Sequence, residues 1–447
     1  MHNTNQATRP PWYYVWIIAA AKPIYRWIVY RKSHHKPTYQ AQVQERFGKG
    51  YIPSPKSTPN ALVIWCHAVS LGEINTAYPL LKILLQRGFC LWITSTTQTG
   101  FDRVKVLFAE QINNQTVSHS FVPVDDLATV RRFLGHVRPV MAVFVETELW
   151  ANTLYELKNR KISSVMINAR LTQKSFDGYA RFGKISRSMM DNLSYIIAQD
   201  TASVRRFLQL GIDEDRICQM DSLKWASFAK PSINHKKLLE SVASQLADRP
   251  VWVAASTHDT EEALVLQAHK MIRKKHPDAL LIIVPRHPER FNAVAGLCYD
   301  SGFDVARRSL DEMISHKTAV YLADSMGELM VWYALADVAL VAGSFLDMGG
   351  HNPIEPASLG KPIIMGKFVK NCETLVESLA AAHALVQADD ACDVAAFASD
   401  WFSDKQKASR AGQAAKQLVC QNSDIAQRMA DKLLAVLMSE YNQDKQA

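Results

Sequence analysis

This sequence predicts an α/β protein of two consecutive doubly wound domains, and three observations lead there. Short apolar, β-branched runs alternate with amphipathic helical stretches from Ala61 onward, the same alternation begins again at Val251, and 447 residues leave room for two sizeable cores. Strands are expected at Ala61 to Cys66, Cys90 to Ser95, Val140 to Val145, Ser164 to Ile167, Tyr195 to Ala198 and Ile217 to Met220, with helical stretches such as Asn75 to Gln86 and Thr201 to Leu210 between them. The second set falls at Val251 to Ala255, Leu280 to Val284, Ala319 to Leu322, Val338 to Ala342 and Pro362 to Met365. Its helices start from Asp259, Pro288, Gly327, Pro353 and Cys372, and a helical tail runs from Asp393 to Asn442. A polar, lysine-bearing stretch from Ala229 to Arg249 reads as the connection. The implied boundaries are an N-terminal segment 1–40, a first domain 41–230, a linker 231–249 and a second domain 250–447 that carries the C-terminal helices. Two such domains place a cleft between them, lined by the carboxyl ends of both sets of strands.

The N-terminal segment stands apart. Trp12 to Ala21 is a ten-residue apolar run stopped by Lys22-Pro23, too short for a bilayer, which takes about 20 apolar residues. It reads as a signal-peptide core before Ala19-Ala20-Ala21, as a buried helix, or as an interfacial anchor. Arg9 alone supplies positive charge ahead of the run, which fits a signal peptide poorly. The aromatic residues Trp12, Tyr13, Tyr14, Trp16, Tyr25, Trp27 and Tyr30 interleave with Lys22, Arg26, Arg31 and Lys32, a pattern that suits burial at headgroup level beside anionic lipid. The interfacial reading is preferred on that ground. Seven scattered cysteines, with no CxxC pair and no zinc spacing, fit a reducing compartment. A formal charge of +8 without a dense Lys/Arg tract suits an anionic substrate or an anionic membrane surface, and not specific nucleic-acid binding.

The densest group of functional residue types is Val341 to Pro362, VAGSFLDMGGHNPIEPASLGKP. It reads as a strand, a tight loop with Gly343, Gly349 and Gly350, and a helix starting near Pro353. Glycines allow close backbone approach, and a helix N-terminus favours an anion. His351, Asn352 and Glu355 add polar groups; the plainer reading is an ordinary loop whose polar residues cap the helix. After the first strand comes His67-Ala68-Val69-Ser70-Leu71-Gly72-Glu73, where the carboxylate either takes a proton from an acceptor hydroxyl or merely favours the helix dipole. Glu146 and Glu148 stand at the end of the third expected strand, as catalytic carboxylates or as a salt-bridged rim. Pro285-Arg286-His287 follows another strand, with Arg286 suited to a phosphate or carboxylate, or paired on the surface with Glu289. Ser325-Met326-Gly327-Glu328 opens a further helix, and Ser222-Leu223-Lys224 offers one more cation. Asp125-Asp126 and Asp213-Glu214-Asp215 read as turn or capping residues rather than metal ligands. No GxGxxG follows the first strand of either domain, which counts against a nicotinamide-dependent oxidoreductase.

Taken in order, HAVSLGE, FVETELW, INARL, SLKW, ASTHDTEE, PRHPERF, DSMGEL and GGHNPIEPA span nearly the whole chain. The set resembles the 3-deoxy-D-manno-octulosonic acid (Kdo) transferase family of lipopolysaccharide synthesis. The resemblance implies a GT-B architecture: two Rossmann-like domains facing a central cleft, the first for the acceptor and the second for the donor. It implies an inverting glycosyltransferase that moves Kdo from CMP-Kdo to a lipid A precursor at the cytoplasmic face of the inner membrane. By the family pattern Glu73 is the general base, and Glu146 and Lys224 stabilise the transition state. Pro285, Arg286, Met326, Gly327, Glu328, Asn352, Pro353, Ile354 and Glu355 hold CMP. An N-terminal membrane anchor is also implied, and neither metal nor cofactor is called for. Departures from the usual pattern are Ala323-Asp324-Ser325 where GDT is expected, Asp221 in place of a glycine, and Trp225-Ala226 where Phe-Asp is common. Another GT-B nucleotide-sugar transferase or epimerase, and a non-catalytic nucleotide-sugar binding protein, are the alternatives.

Overall fold

Two parallel sheets of seven strands each organise the chain. The computed structural model describes residues 6–35, 38–55, 61–226 and 233–446. The first sheet contains β1 (Val63–His67), β2 (Cys90–Ser95), β3 (Val117–Phe121), β4 (Met141–Val145), β5 (Ser163–Ala169), β6 (Tyr195–Ala198) and β7 (Ile217–Gln219), ordered β3-β2-β1-β4-β5-β6-β7. The second contains β8 (Val251–Thr257), β9 (Leu280–Pro285), β10 (Val305–Arg307), β11 (Val320–Leu322), β12 (Val338–Val341), β13 (Ile363–Met365) and β14 (Leu385–Gln387), ordered β10-β11-β9-β8-β12-β13-β14. Each order reverses beside its first strand, between β1 and β4 and between β8 and β12. Such a reversal opens a crevice at the carboxyl ends of the strands, because successive helices leave to opposite faces there.

Both faces of the first sheet are covered, which is why its strands read as unbroken apolar runs. Along β1, Val63 and Trp65 enter one core layer while Ile64 and Cys66 enter the other. The expected strands and helices are all present, two strands (β2 and β6) and the helix Thr201–Leu210 to the residue. Three strands escaped the sequence reading: β3, β10 and β14, all at sheet edges. Two are three residues long, and β3 is Val-Ser-His-Ser-Phe, whose polar centre hides it. The edge of β3 is covered rather than exposed, with Phe121 N donating to the buried Glu45 carboxylate at 2.8 Å.

Three further expectations need correction. Where the apolar run ends at Lys22-Pro23 the helix does not: one helix spans Trp12–Ser33 with Pro23 inside it. The hydrogen bond that proline cannot donate would have ended on Ala19, which is exposed, so water can meet that carbonyl. The linker 231–249 is largely the helix Ile233–Leu246, packed within the second unit; residues 229–232 lie outside the described residues. The second domain does not extend to 447. Its compact unit is Phe228–Ser423, and the helix Ile425–Gln446 returns to the first unit, Met1–Ser227, where Met429, Ala430 and Leu433 are fully buried against the helix Leu71–Gln86.

The helix Trp12–Ser33 presents two unlike faces. Tyr14 donates to Asp125 at 2.6 Å, Lys22 to Asp126 at 2.6 Å, and the Tyr25 ring meets Phe47 at 6.1 Å, so one side is fastened to the first unit. Trp12, Trp16, Ile17, Ile24 and Trp27 are each more than half exposed on the remainder. Among the described residues, no helix is long and apolar enough to cross a membrane.

Candidate active site

In the first unit the carboxylates gather at the β1/β4 reversal. Ser70 caps the helix Leu71–Gln86, accepting from Glu73 N at 3.4 Å, while the Glu73 carboxylate accepts from Val69 N at 2.7 Å and from the Ser70 hydroxyl at 3.1 Å. This reciprocal cap fixes the side chain at the strand end. Glu73 thus stands in the first helical turn, as the plainer reading had it, and is in addition a cap and a carboxyl with altered acidity. Burial pushes it up to about 7, the Glu146 and Glu148 carboxylates push the same way, and the Val69 N–H and Ser70 hydroxyl oppose them. Glu146 itself sits at φ 63°, a left-handed conformation rare for a side-chain-bearing residue, and its N–H donates to Ile167 O at 2.9 Å.

Glu148 lies 3.7 Å from His67 Nε2, and the buried His67 ring is held from behind by Thr94 Oγ1 at 2.9 Å and from the side by Trp150. Lys224 enters on the short helical turn Leu223–Ala226, which packs against the helix bearing Glu73. Asn168 sets that turn. Its Oδ1 accepts from the Ser222 hydroxyl and from Leu223 N, both at 3.0 Å, with its own backbone at φ 50°. Asn168 was not singled out from the sequence, although it lies in INARL, so the signal was present. Asp125 and Asp126 serve as caps and anchors, as expected: Asp126 caps the helix Leu127–Val137, and Asp125 receives Thr153 N at 2.7 Å.

In the second unit the expected donor-site residues stand at the ends of three strands, β9, β11 and β12. Pro285 ends β9, and Arg286 N donates to Thr257 O at 2.9 Å, which ties the β9 and β8 ends together. Glu289 lies 3.8 Å from His287 Nδ1, and Arg290 pairs with Asp259 at 2.9 Å and Glu262 at 3.2 Å. Glu355 is felt by Arg286: burial pushes its carboxyl up to about 6 and the guanidinium opposes the rise. Asn352 Oδ1 accepts from Ile354 N at 3.1 Å, starting the short helix Ile354–Ser358 behind Pro353; the Ile354 side chain is wholly buried, so only its backbone is available to a ligand.

After β11, Met326 is exposed, Gly327 has φ 85°, and Glu328 forms a two-pronged pair with Arg308 at 3.0 and 3.1 Å. Arg308 was not foreseen, and it shows the Glu328 carboxylate already engaged. The glycines after β12 serve the chain's own packing. A Cβ on Gly343 would lie 2.8 Å from the His351 ring, and one on Gly349 2.5 Å from the Asn371 amide. Beneath them the buried Glu261 carboxylate accepts from His258 N, Gly343 N and Phe345 N at 2.9 to 3.1 Å, joining the β8 and β12 loops.

The same two halves appear in comparison with known proteins. The profile of the family described as 3-Deoxy-D-manno-octulosonic-acid transferase (kdotransferase) matches residues 41–227, and that of glycosyl transferases group 1 matches residues 248–418. The chain is 34% identical to a 3-deoxy-D-manno-octulosonic acid transferase of Haemophilus influenzae, over 94% of this chain and 97% of that protein. It belongs to the Kdo transferase family. A Bordetella pertussis protein of the same description is 30% identical over 92% of this chain and 95% of its own length. At the level of fold alone, a glycosyltransferase structure from Rickettsia africae aligns with TM-score 0.56 and 16% identity, covering 86% of this chain and 99% of that one.

Proposed function

We propose that the chain transfers Kdo from CMP-Kdo to a lipid A precursor with inversion at the anomeric carbon, using Glu73 as general base. The observation that carries this reading is the Glu73 carboxyl brought near neutrality at a strand-order reversal, in a chain related along its length to Kdo transferases. An acceptor hydroxyl attacks the anomeric carbon, its proton passes to Glu73, and the bond to the CMP phosphate breaks with its electron pair left on phosphate. Glu146 and Lys224 stabilise the transition state. On the second unit Arg286, with Pro285, receives the phosphate end of CMP; Met326, Gly327 and Glu328, and the segment Asn352, Pro353, Ile354 and Glu355, complete the nucleotide site.

The acceptor reading draws on a depression of about 490 Å³ in the first unit, bordered by Ile18, Tyr25, Arg46, Val69, Glu148 and Trp150. An apolar wall with a cation beside carboxylates suits an amphiphile with anionic groups. The helix Trp12–Ser33 lies in the interface of the inner membrane on its cytoplasmic side, with its tryptophans toward acyl chains and Lys22, Arg26, Arg31 and Lys32 at headgroup level.

Two measurements test these statements. Incubation of the protein with CMP-Kdo and tetraacylated lipid A precursor is expected to give products heavier by one or more Kdo units; an unchanged precursor mass, with CMP still bound, removes the reaction as proposed. In flotation with anionic phospholipid vesicles, the protein is expected to rise with the lipid, and Trp16→Ser with Trp27→Ser to reduce the bound fraction about 10-fold or more. Equal flotation of both proteins contradicts the interfacial role of this helix.

A further inference from the structure

His258 and His351 meet across the strand-order reversal of the second sheet. One follows β8, the other lies in the loop after β12, and their Nε2 atoms are 2.8 Å apart. Their ring planes differ by 9° with centroids 5.1 Å apart, which sets the rings edge to edge with the nitrogen–nitrogen line in a common plane. This is a ring N–H aimed at a ring lone pair, so one Nε2 carries hydrogen and the other does not. Two hydrogens cannot face each other across that gap. The pair therefore holds at most one positive charge, and an added proton goes to the bare Nδ1 of the ring that donates.

The groups around the pair set when that proton arrives. Arg286, His287 and Arg290, from the segment after β9, disfavour charge on it, while Glu261 beneath the loops favours charge on His258. Glu262 and Asp259 are engaged by Arg290, Glu289 faces His287, and Glu355 faces Arg286. Burial, helped by His258 and Arg286, brings His351 down to about 4; burial also lowers His258. The empty pair is thus neutral at neutral pH. Negative charge placed beside Arg286 reverses the balance, since it offsets the guanidinium and favours the protonated ring.

We propose that the His258–His351 pair takes up one proton from solvent when the phosphate of a cytidine nucleotide binds beside Arg286, so that the shared proton and the guanidinium together meet the phosphate charge. This rests on the reading of the second unit as the donor site. During transfer the leaving phosphate gains negative charge, and a positive pair already in place stabilises it without moving a proton at that moment.

Calorimetric titration of the full chain with CMP near pH 7.5, in buffers of different ionisation enthalpy, tests this. The second ionisation of a phosphate monoester lies near 6, so any uptake there comes from the protein. Wild type is expected to gain about half a proton or more per CMP and none with cytidine, which lacks the phosphate. His258→Gln and His351→Gln are expected to bind CMP about 3- to 10-fold more weakly with uptake near zero, and His287→Gln to retain uptake. CMP binding by wild type without proton uptake, or uptake that persists in both dyad variants, overturns the proposal. Glu355→Gln, which removes the carboxyl that Arg286 also holds down, is expected to retain the uptake, and its loss there overturns the proposal. Absence of CMP binding by wild type would remove the donor-site reading and this proposal together.

Discussion

Glu73→Gln is expected to lower turnover about 10²- to 10⁴-fold while CMP affinity stays within about twofold of wild type. The amide keeps the shape and can still accept from Val69 N, so the cap at Ser70 survives and what is lost is the ability to take a proton. The wild-type rate should also fall as pH drops below about 7, where the raised carboxyl fills with a proton. Stability should move the other way. A carboxyl raised from an ordinary 4.5 to about 7 holds its proton more tightly folded than unfolded, so ionising it in place destabilises the fold. That penalty is absent below about 4.5, grows between the two values and is complete above about 7. Glu73→Gln escapes it and should be more stable than wild type by about 1 to 3 kcal/mol at pH 8, with the difference closing in acid. Denaturant melts at pH 4 and pH 8, beside initial rates, check both halves. A variant equally active, or destabilised at pH 8, would contradict the role given to this carboxylate.

The second large effect is expected at Arg286. Arg286→Ala should lower kcat/KM about 10²- to 10³-fold and weaken CMP binding, with Arg286→Lys between the two, because an ammonium supplies charge without the two-pronged fork. The guanidinium also opposes the burial-driven rise of Glu355, so its loss sends that carboxyl further up and leaves a neutral acid in the site. Rates against CMP-Kdo concentration separate the contributions. A change confined to KM would mean that Arg286 binds donor and leaving group equally and does not favour the transition state.

The sequence carried the scaffold well where strands are long and buried on both faces. Tyr195–Ala198 and Cys90–Ser95 are continuous apolar runs because helices cover both sides of them. Edge strands of three residues such as Val305–Arg307 lack enough alternation to be heard, and Val117–Phe121 carries its polar residues inward against a covering segment that lies 60 to 80 residues earlier. The candidate site was legible as motifs at strand ends, not as contacts. That His258 and His351 face each other, 93 residues apart, depends on β8 and β12 lying side by side. That Asn168 steers the turn bearing Lys224 depends on β5 and the end of β7 meeting. Spacing along a chain does not encode such pairings. The final helix illustrates the same limit: its helical character was visible, but the core that receives it was not.

The return of Ile425–Gln446 to the first unit ties activity to the timetable of synthesis. Phe228–Ser423 must emerge from the ribosome before the residues that seal the first core exist, an interval of about 10 to 40 s at ordinary elongation rates. Through that interval the helix bearing Glu73 lacks the partner that buries its other side. On the proposed reading of Glu73 as general base, packing of Ile425–Gln446 against that helix is therefore the late step that completes the first unit's half of the site.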